Sequence, residues 1–286
     1  MNWMECRDRI EPQSVQWRDA ARKHIHQLTM PRWALGRLLE LAVDLAGMTR
    51  RLDFPVERKR VVLMAGDHGI VAEGVSPQPQ CVTVQMLRNF SRGGGAVRVL
   101  SSVAGAEVVL ADLGVNADGS DIPGVLPYKI AKGTANFRYG PAMSREQAVQ
   151  SLETGIRIAE KLADSTDVFA TGEMGIGNTT PSSAIVTVFS GEKDPSPFVG
   201  SGAGLDPALL KHKADVIREA IERNAPDPAD PIDVLAKVGG FEIGGIAGLI
   251  LGAAAYRRPV LAPAPPRTTA CATTRGSGCI PTARLS

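Results

Sequence analysis

Residues 61–69 read Val61-Val62-Leu63-Met64-Ala65-Gly66-Asp67-His68-Gly69. A short unbroken apolar run that ends in a glycine and an acid is a buried strand entering a loop, and strands buried on both faces belong to parallel sheets. The pattern recurs twice. Val108 to Leu113 reads as a second buried strand, and Val168-Phe169-Ala170 as a third that leads into Gly172 to Thr180. Helical stretches lie between these runs. Strand, loop and helix alternate throughout, which predicts an α/β fold with a doubly wound, mainly parallel sheet.

The helical segments have their own punctuation. Residues 14–29 and 33–47 read as two helices, split by Pro31 and closed by Gly47, and Leu35, Leu38, Leu39, Leu41 and Leu45 supply an apolar stripe on the second. Residues 83–90 and 96–104 flank Gly93-Gly94-Gly95, while 118–141 is rich in Gly and Pro and reads as loop. For 144–163, Ser144 and Gln147 stand at capping-box spacing. Pro181 suits a helix first turn with Thr180 as its cap. Helices over 207–223 and 242–256 complete the pattern. Small residues at 244, 245, 247 and 248 predict close approach of a neighbouring helix, in the core or at a dimer contact.

At 286 residues the chain is long enough for one large α/β domain with a small appended one. An apolar fraction of 44% and a charged fraction of 22% are ordinary for a soluble globular protein. A net charge of +2 points to no particular partner, and no nucleic acid is expected, since a nucleic-acid binder more often shows a strongly basic face. Cys6, Cys81, Cys271 and Cys279 form no CxxC pair and have no histidine at zinc-like spacing, so free thiols in a cytoplasmic protein are expected. The N-terminus does not read as a signal peptide, and Ile243 to Tyr256 is too short and too rich in Gly and Ala to span a membrane.

From Leu261 onward the chemistry changes. The segment LAPAPPRTTACATTRGSGCIPTARLS holds no Asp or Glu in 26 residues and shows neither helical nor strand periodicity. It reads as a disordered tail, or as coding sequence out of frame after Val260.

The densest candidate for chemistry is Thr171-Gly172-Glu173-Met174-Gly175-Ile176-Gly177-Asn178-Thr179-Thr180. A strand delivers the chain into a glycine-rich loop, and a helix starts directly after it. Glycines let backbone N–H groups approach an anion, and the helix N-terminus adds a favourable dipole. Many such turns are glycine-rich for packing alone, but Glu173 adds a carboxylate at the mouth of the loop, suited to an NH-bearing ring. A second segment, Gly200-Ser201-Gly202-Ala203-Gly204, also precedes a helix, which carries Lys211 and Lys213; either lysine reaches a phosphate or simply faces solvent. Asp67 and His68 end the first strand, where α/β proteins place ligands, and are an acid/base couple or loop-orienting residues. Gln80, Thr83 and Gln85 line a pocket or begin a solvated helix. Glu242 opens the last helix as a dipole partner.

Together these segments resemble the nicotinate-nucleotide–dimethylbenzimidazole phosphoribosyltransferases, which make the lower-ligand nucleotide of cobalamin. The matching stretches are AGDHGIVAEGVSPQPQCVTVQML, GGGAVRVL, VVLADLGVNAD, GEMGIGNTTPSSA, GSGAGLD with Lys213, and GGFEIGGIAGLILGAAAYRRPVL. They run in family order from about residue 10 to about residue 260, some nine tenths of the chain.

The resemblance implies transfer of ribose 5-phosphate from nicotinate mononucleotide to dimethylbenzimidazole, with inversion at the anomeric carbon and no metal or organic cofactor. It implies that Glu173 is the catalytic carboxylate beside the benzimidazole and that Gln85 lines the same pocket. Gly175, Gly177, Asn178 and Thr179 match the loop shaping the nucleotide site, and Lys213 a lysine that steadies the phosphate. Asp67, His68, Gly202 and Gly204 are further candidates. It implies a cytoplasmic homodimer with a Rossmann-like domain over 61–260 and a small helical domain begun by 1–60, from which the atypical tail over 261–286 departs. Family members continue past the RRPVL strand to a late Gly-Glu-Gly loop whose glutamate is the assigned general base. Residues 261–286 supply no carboxylate, so weak or absent turnover with retained azole or nucleotide binding is the alternative expectation. A dinucleotide-binding enzyme fits less well, since no GxGxxG follows the first strand.

Overall fold

A computed structural model of the chain describes residues 1–262. Three helices open it: α1 (Trp3–Arg9), α2 (Val15–Gln27) and α3 (Arg37–Thr49). The first was not expected. It is started by a capping box in which the Asn2 side chain accepts from the Glu5 N–H and Glu5 answers on the Asn2 N–H. Nor does Gly47 end the second expected helix: α3 runs on to Thr49 and stops where Arg50 turns left-handed. Then follow β1 (Lys59–Gly66), α4 (Cys81–Ser91), α5 (Gly95–Val103), β2 (Ala106–Gly114), β3 (Val125–Pro127), α6 (Arg145–Leu162), β4 (Val168–Met174), α7 (Thr179–Ser190), α8 (Leu210–Asn224), α9 (Pro231–Val238), α10 (Phe241–Ala255) and β5 (Val260–Leu261).

The five strands form one parallel sheet in the order β3-β2-β1-β4-β5. This is the doubly wound α/β architecture that the alternation of segments predicts. Side chains alternate across it as the pleat requires. Val62 and Met64 of β1 join a core with α6 and α10, while Leu63 and Ala65 join Val84, Leu87 and Phe90 of α4 on the other face. Burial of Phe137, Phe169 and Phe241, each shut away from solvent, contributes about 1.5–3 kcal/mol apiece. Residues 118–141 are not all loop, because Val125–Pro127 pairs with Leu110–Asp112 as an edge strand. Three residues in a Gly- and Pro-rich stretch carry no periodicity from which that strand is readable.

The small residues of α10 meet α6 of the same chain. A Cβ at Gly248 would stand 1.8 Å from the Leu152 carbonyl oxygen, and one at Gly155 would stand 1.9 Å from that of Gly245. The two backbones touch, so the expected close packing is core packing. Capping of α6 is as expected: Ser144 Oγ accepts from the Gln147 N–H at 3.2 Å and Gln147 Oε1 accepts from the Ser144 N–H at 3.0 Å.

At the N-terminal end, α1 buries Cys6 in the main core, whereas α2 and α3 make a separate cluster from Ala21, Ile25, Leu39, Val43 and Ala46. The expected tail begins at Leu261, which instead pairs with Ala170 in β5. The rest of that expectation, including the general-base glutamate of the family's C-terminal loop, lies outside the described residues. No described helix is long and apolar enough to cross a membrane.

Candidate active site

β1 has β2 on one side and β4 on the other, so the chain reverses its direction across the sheet between β1 and β4. That switch point leaves a crevice at the carboxyl ends of the two strands, where open α/β sheets take ligands. β1 delivers Gly66, Asp67 and His68 there; β4 ends in Glu173 and Met174, next to Met64 and Ala65.

Asp67 is buried and doubly bonded. Its Oδ1 accepts from Thr83 Oγ at 2.7 Å and its Oδ2 from the Asn116 N–H at 2.8 Å. Burial raises this carboxyl above its ordinary value, against the pull of those two bonds. The Thr83 hydroxyl also accepts from the Ile176 N–H at 3.1 Å. One hydroxyl thus ties α4 and the end of β1 to the middle of the glycine-rich loop. Gln80 secures the adjoining turn: its Nε2 donates to the His68 carbonyl at 2.7 Å, and its Oε1 accepts from Asn116 Nδ2 at 3.2 Å.

Asp67 and His68 are not the couple that adjacency suggested. The His68 side chain turns the other way, with Nε2 2.9 Å from Glu242 Oε1, and both residues are closed to solvent. Glu242 stands in the first turn of α10 as expected, but as a buried partner of His68.

The glycine-rich loop is dictated by close approach. A Cβ at Gly175 would lie 2.2 Å from the Gly66 carbonyl oxygen. Gly177 adopts φ +89°, a region that L side chains rarely enter, and a Cβ there would strike Val71 Cγ2 at 2.4 Å. Helix α7 starts at Thr179 with Asn178 in the cap position, earlier in the chain than a Thr180 cap requires. The Asn178 amide donates to Glu173 Oε2 and makes no capping bond at the positive end of α7. Glu173 is open to solvent at the loop mouth, yet the surrounding protein mass raises its carboxyl above the usual range. The Glu242 carboxylate raises it further, against Asn178 and His68.

Opposite the loop, Lys213 of α8 is inaccessible to solvent and donates to Thr179 Oγ1 at 2.7 Å and to the Gly200 carbonyl at 3.1 Å. No carboxylate among the described residues pairs with it. Desolvation lowers its pKa from 10.5 to about 8. A buried ammonium held by a hydroxyl and a carbonyl, beside a helix start that Asn178 does not cap, concentrates positive charge at this point. Lys211 is not part of it; that side chain is exposed and pairs with Asp215 at 2.8 Å.

Gly202 belongs to the same wall, since a Cβ there would meet Thr179 Oγ1 at 2.8 Å, whereas a Cβ at Gly204 would meet nothing within 4 Å among the described residues. Gln85 is exposed on α4, two residues beyond Thr83. Among the described residues no group of three or more His, Cys, Asp and Glu is arranged to hold a metal. Asn116 and the His68–Glu242 contact escaped the sequence reading. Asn116 stands just beyond a strand end, a signal of position that could have flagged it.

The phosphoribosyltransferase family model matches residues 10–275. A nicotinate-nucleotide–dimethylbenzimidazole phosphoribosyltransferase from Syntrophotalea carbinolica is 54% identical over 256 residues, covering 88% of this chain and 72% of the relative. The protein of the same name from Desulfotalea psychrophila is 49% identical over 255 residues, with the same two coverages. The crystal structure of CobT from Thermus thermophilus superposes with a TM-score of 0.81 at 39% identity, covering 87% of this chain and 74% of that one.

Proposed function

Since the chain belongs to the nicotinate-nucleotide–dimethylbenzimidazole phosphoribosyltransferase family, we propose that the crevice between β1 and β4 moves ribose 5-phosphate from nicotinate mononucleotide to 5,6-dimethylbenzimidazole. The products are α-ribazole 5′-phosphate and nicotinate. The relatives' names favour an active transferase over a binding relic.

The observation that carries this reading is Lys213, a buried ammonium without an acidic partner among the described residues, set beside Thr179 and the start of α7, which Asn178 does not cap. A nucleotide phosphate that takes the place of the Gly200 carbonyl on Lys213 gains a charge-assisted hydrogen bond from it and the helix dipole. Gly175, Gly177 and Gly202 let the walls of the crevice pack directly against Gly66, Val71 and Thr179, which fixes the loop on which the nucleotide would rest. Glu173 stands at the other end of the loop, and Gln85 is assigned to the acceptor pocket on the family resemblance.

The chemistry is one in-line displacement. The C–N electron pair of nicotinate mononucleotide returns to the pyridinium nitrogen, which leaves as neutral pyridine nitrogen. A benzimidazole nitrogen lone pair bonds to the anomeric carbon from the opposite face and inverts it. The proton on the second ring nitrogen passes to the Glu173 carboxylate, whose raised affinity for protons suits the task. Fixing both substrates in line supplies much of the rate.

Incubation with both substrates tests this directly. Nicotinate and an α-linked nucleotide are expected in equal amounts, and neither when one substrate is omitted. Nicotinate release without the acceptor, or a β-linked product, sinks the reading. We also propose a cytoplasmic homodimer, on the family resemblance alone; light scattering of the purified chain checks the dimer.

A further inference from the structure

Beneath the loop that carries Glu173 lies a pair of ionisable side chains that the displacement above does not use. His68 and Glu242 are 174 residues apart in sequence, one just past β1 and the other in the first turn of α10. Both are wholly buried, with Nε2 and Oε1 2.9 Å apart. Apolar side chains of similar volume commonly stabilise a core as well as such a pair does. Here the second polar atom of each, His68 Nδ1 and Glu242 Oε2, lacks any partner among the described residues, which adds to the penalty. Stability therefore does not account for the pair.

Its surroundings point to the site. A Cβ at Gly66 would lie 2.8 Å from Glu242 Oε2, one at Gly240 2.5 Å from His68 Cε1, and one at Gly175 3.1 Å from His68 Nε2. Three backbone segments are glycine where they meet the pair, and one of them is the Glu173–Asn178 loop. We propose that His68 and Glu242 are positioning residues for ribosyl transfer, forming the floor of that loop and setting the electrostatic field at the Glu173 carboxylate. This rests on the reading of Glu173 as the proton acceptor.

The facing charges give the pair a distinctive signature. Burial opposes a charge on His68, but Glu242, and then Asp67 and Glu173, outweigh it and raise the imidazole above its ordinary value. Glu173 is faced by Glu242 from α10 and by His68 from β1, with the Asn178 amide on its own loop. Glu242 makes Glu173 harder to ionise and His68 makes it easier.

The test is the pH profile of kcat/KM in the intact protein with nicotinate mononucleotide and dimethylbenzimidazole. Glu242→Gln is expected to move the acidic limb to lower pH, His68→Gln to higher pH, and the double variant back toward the wild-type position. The losses should fall in kcat, with KM for nicotinate mononucleotide within about twofold, since Lys213 is untouched. A merely structural pair would lower activity in all three variants and leave the limb in place, which overturns the proposal. Glu173→Gln separates the two readings: if the limb survives that substitution, the proton-acceptor reading has failed rather than this one. Should the single variants not fold, nitrogen-15 histidine NMR of the wild type decides, because the chain has only four histidines. A His68 imidazole that titrates above the ordinary histidine range is expected, and one that titrates at or below it overturns the proposal.

Discussion

Replacing Lys213 with methionine is expected to weaken substrate capture while leaving the ligand-free fold as stable as before, or more so. The ammonium is shut away from solvent, and its pKa of about 8 against 10.5 corresponds to a penalty of roughly 3 kcal/mol on the charged form. Methionine fills a similar volume and removes that penalty. It also strips the Gly200 carbonyl and the Thr179 hydroxyl of their donor, at about 1–3 kcal/mol. The balance runs from about zero to about 2 kcal/mol in favour of the variant, a rise in Tm of up to about 8 °C for a chain of this size. The pH dependence carries a sign. The folded value lies below the unfolded one, so the wild type gains stability as pH rises from about 8 toward 10.5, where only the unfolded chain keeps the proton. The variant should lack that rise. For nicotinate mononucleotide, loss of one charge-assisted bond of about 1.5–3 kcal/mol raises KM by about 10- to 150-fold. Thermal melts from pH 7 to 10 and steady-state kinetics read both halves. A variant that melts several degrees lower with KM within about twofold of wild type would mean that Lys213 is structural, and the anion site would be lost.

Three further substitutions probe the frame of the site. Gly175→Ala sets a methyl group 2.2 Å from the Gly66 carbonyl oxygen, so the loop must shift; kcat/KM is expected to fall at least about 100-fold with a stability loss of about 1–3 kcal/mol, read by assay and chemical denaturation. Thr83→Val leaves Asp67 Oδ1 and the Ile176 N–H each short of a partner and should cost about 1–3 kcal/mol and most of the activity; Thr83→Ser keeps the hydroxyl and should retain most of both, as urea titration and turnover will report. Asp167 is buried at the start of β4; burial alone would raise its carboxyl, but Arg58 and the Glu57 and Arg58 N–H groups hold it below its ordinary value. Its contribution is present above the ordinary carboxylate pKa and lost as pH falls through the folded one, so Asp167→Asn should cost about 2 kcal/mol near pH 7, with the difference in Tm shrinking in acid.

Segments that decide the fold were readable because their signals are local. The apolar runs at Val61 and Val108 and the capping box at Ser144 each carry their own chemistry, and the structure extends the strands by only a few residues at their ends. The capping spacing of Asn2 and Glu5 is equally local and marks the start of α1. Strand β3 was not readable, since three residues become a strand only by pairing with β2. In the candidate site, Lys211 and Lys213 were separable in principle. Residues two apart face opposite sides of a helix, and Lys213 shares the buried side with Ala214, Val216, Ile217 and Ala220. The His68–Glu242 contact has no such trace: it needs the end of β1 and the start of α10 to meet, which depends on how α10 packs across the sheet. Polar residues gathered by a switch point are close through topology, and no window of sequence holds them together.

The measurement that bears most directly on ribosyl transfer at the β1–β4 crevice is the turnover of Glu173→Gln beside wild type, following α-ribazole 5′-phosphate and nicotinate near neutral pH. The variant keeps the shape and the Asn178 contact but cannot take a proton. A loss in kcat of roughly 10²–10⁴-fold with KM for nicotinate mononucleotide nearly unchanged is the expected result. A Glu173→Gln enzyme that turns over within a few-fold of wild type would contradict the assignment of proton transfer to this carboxylate.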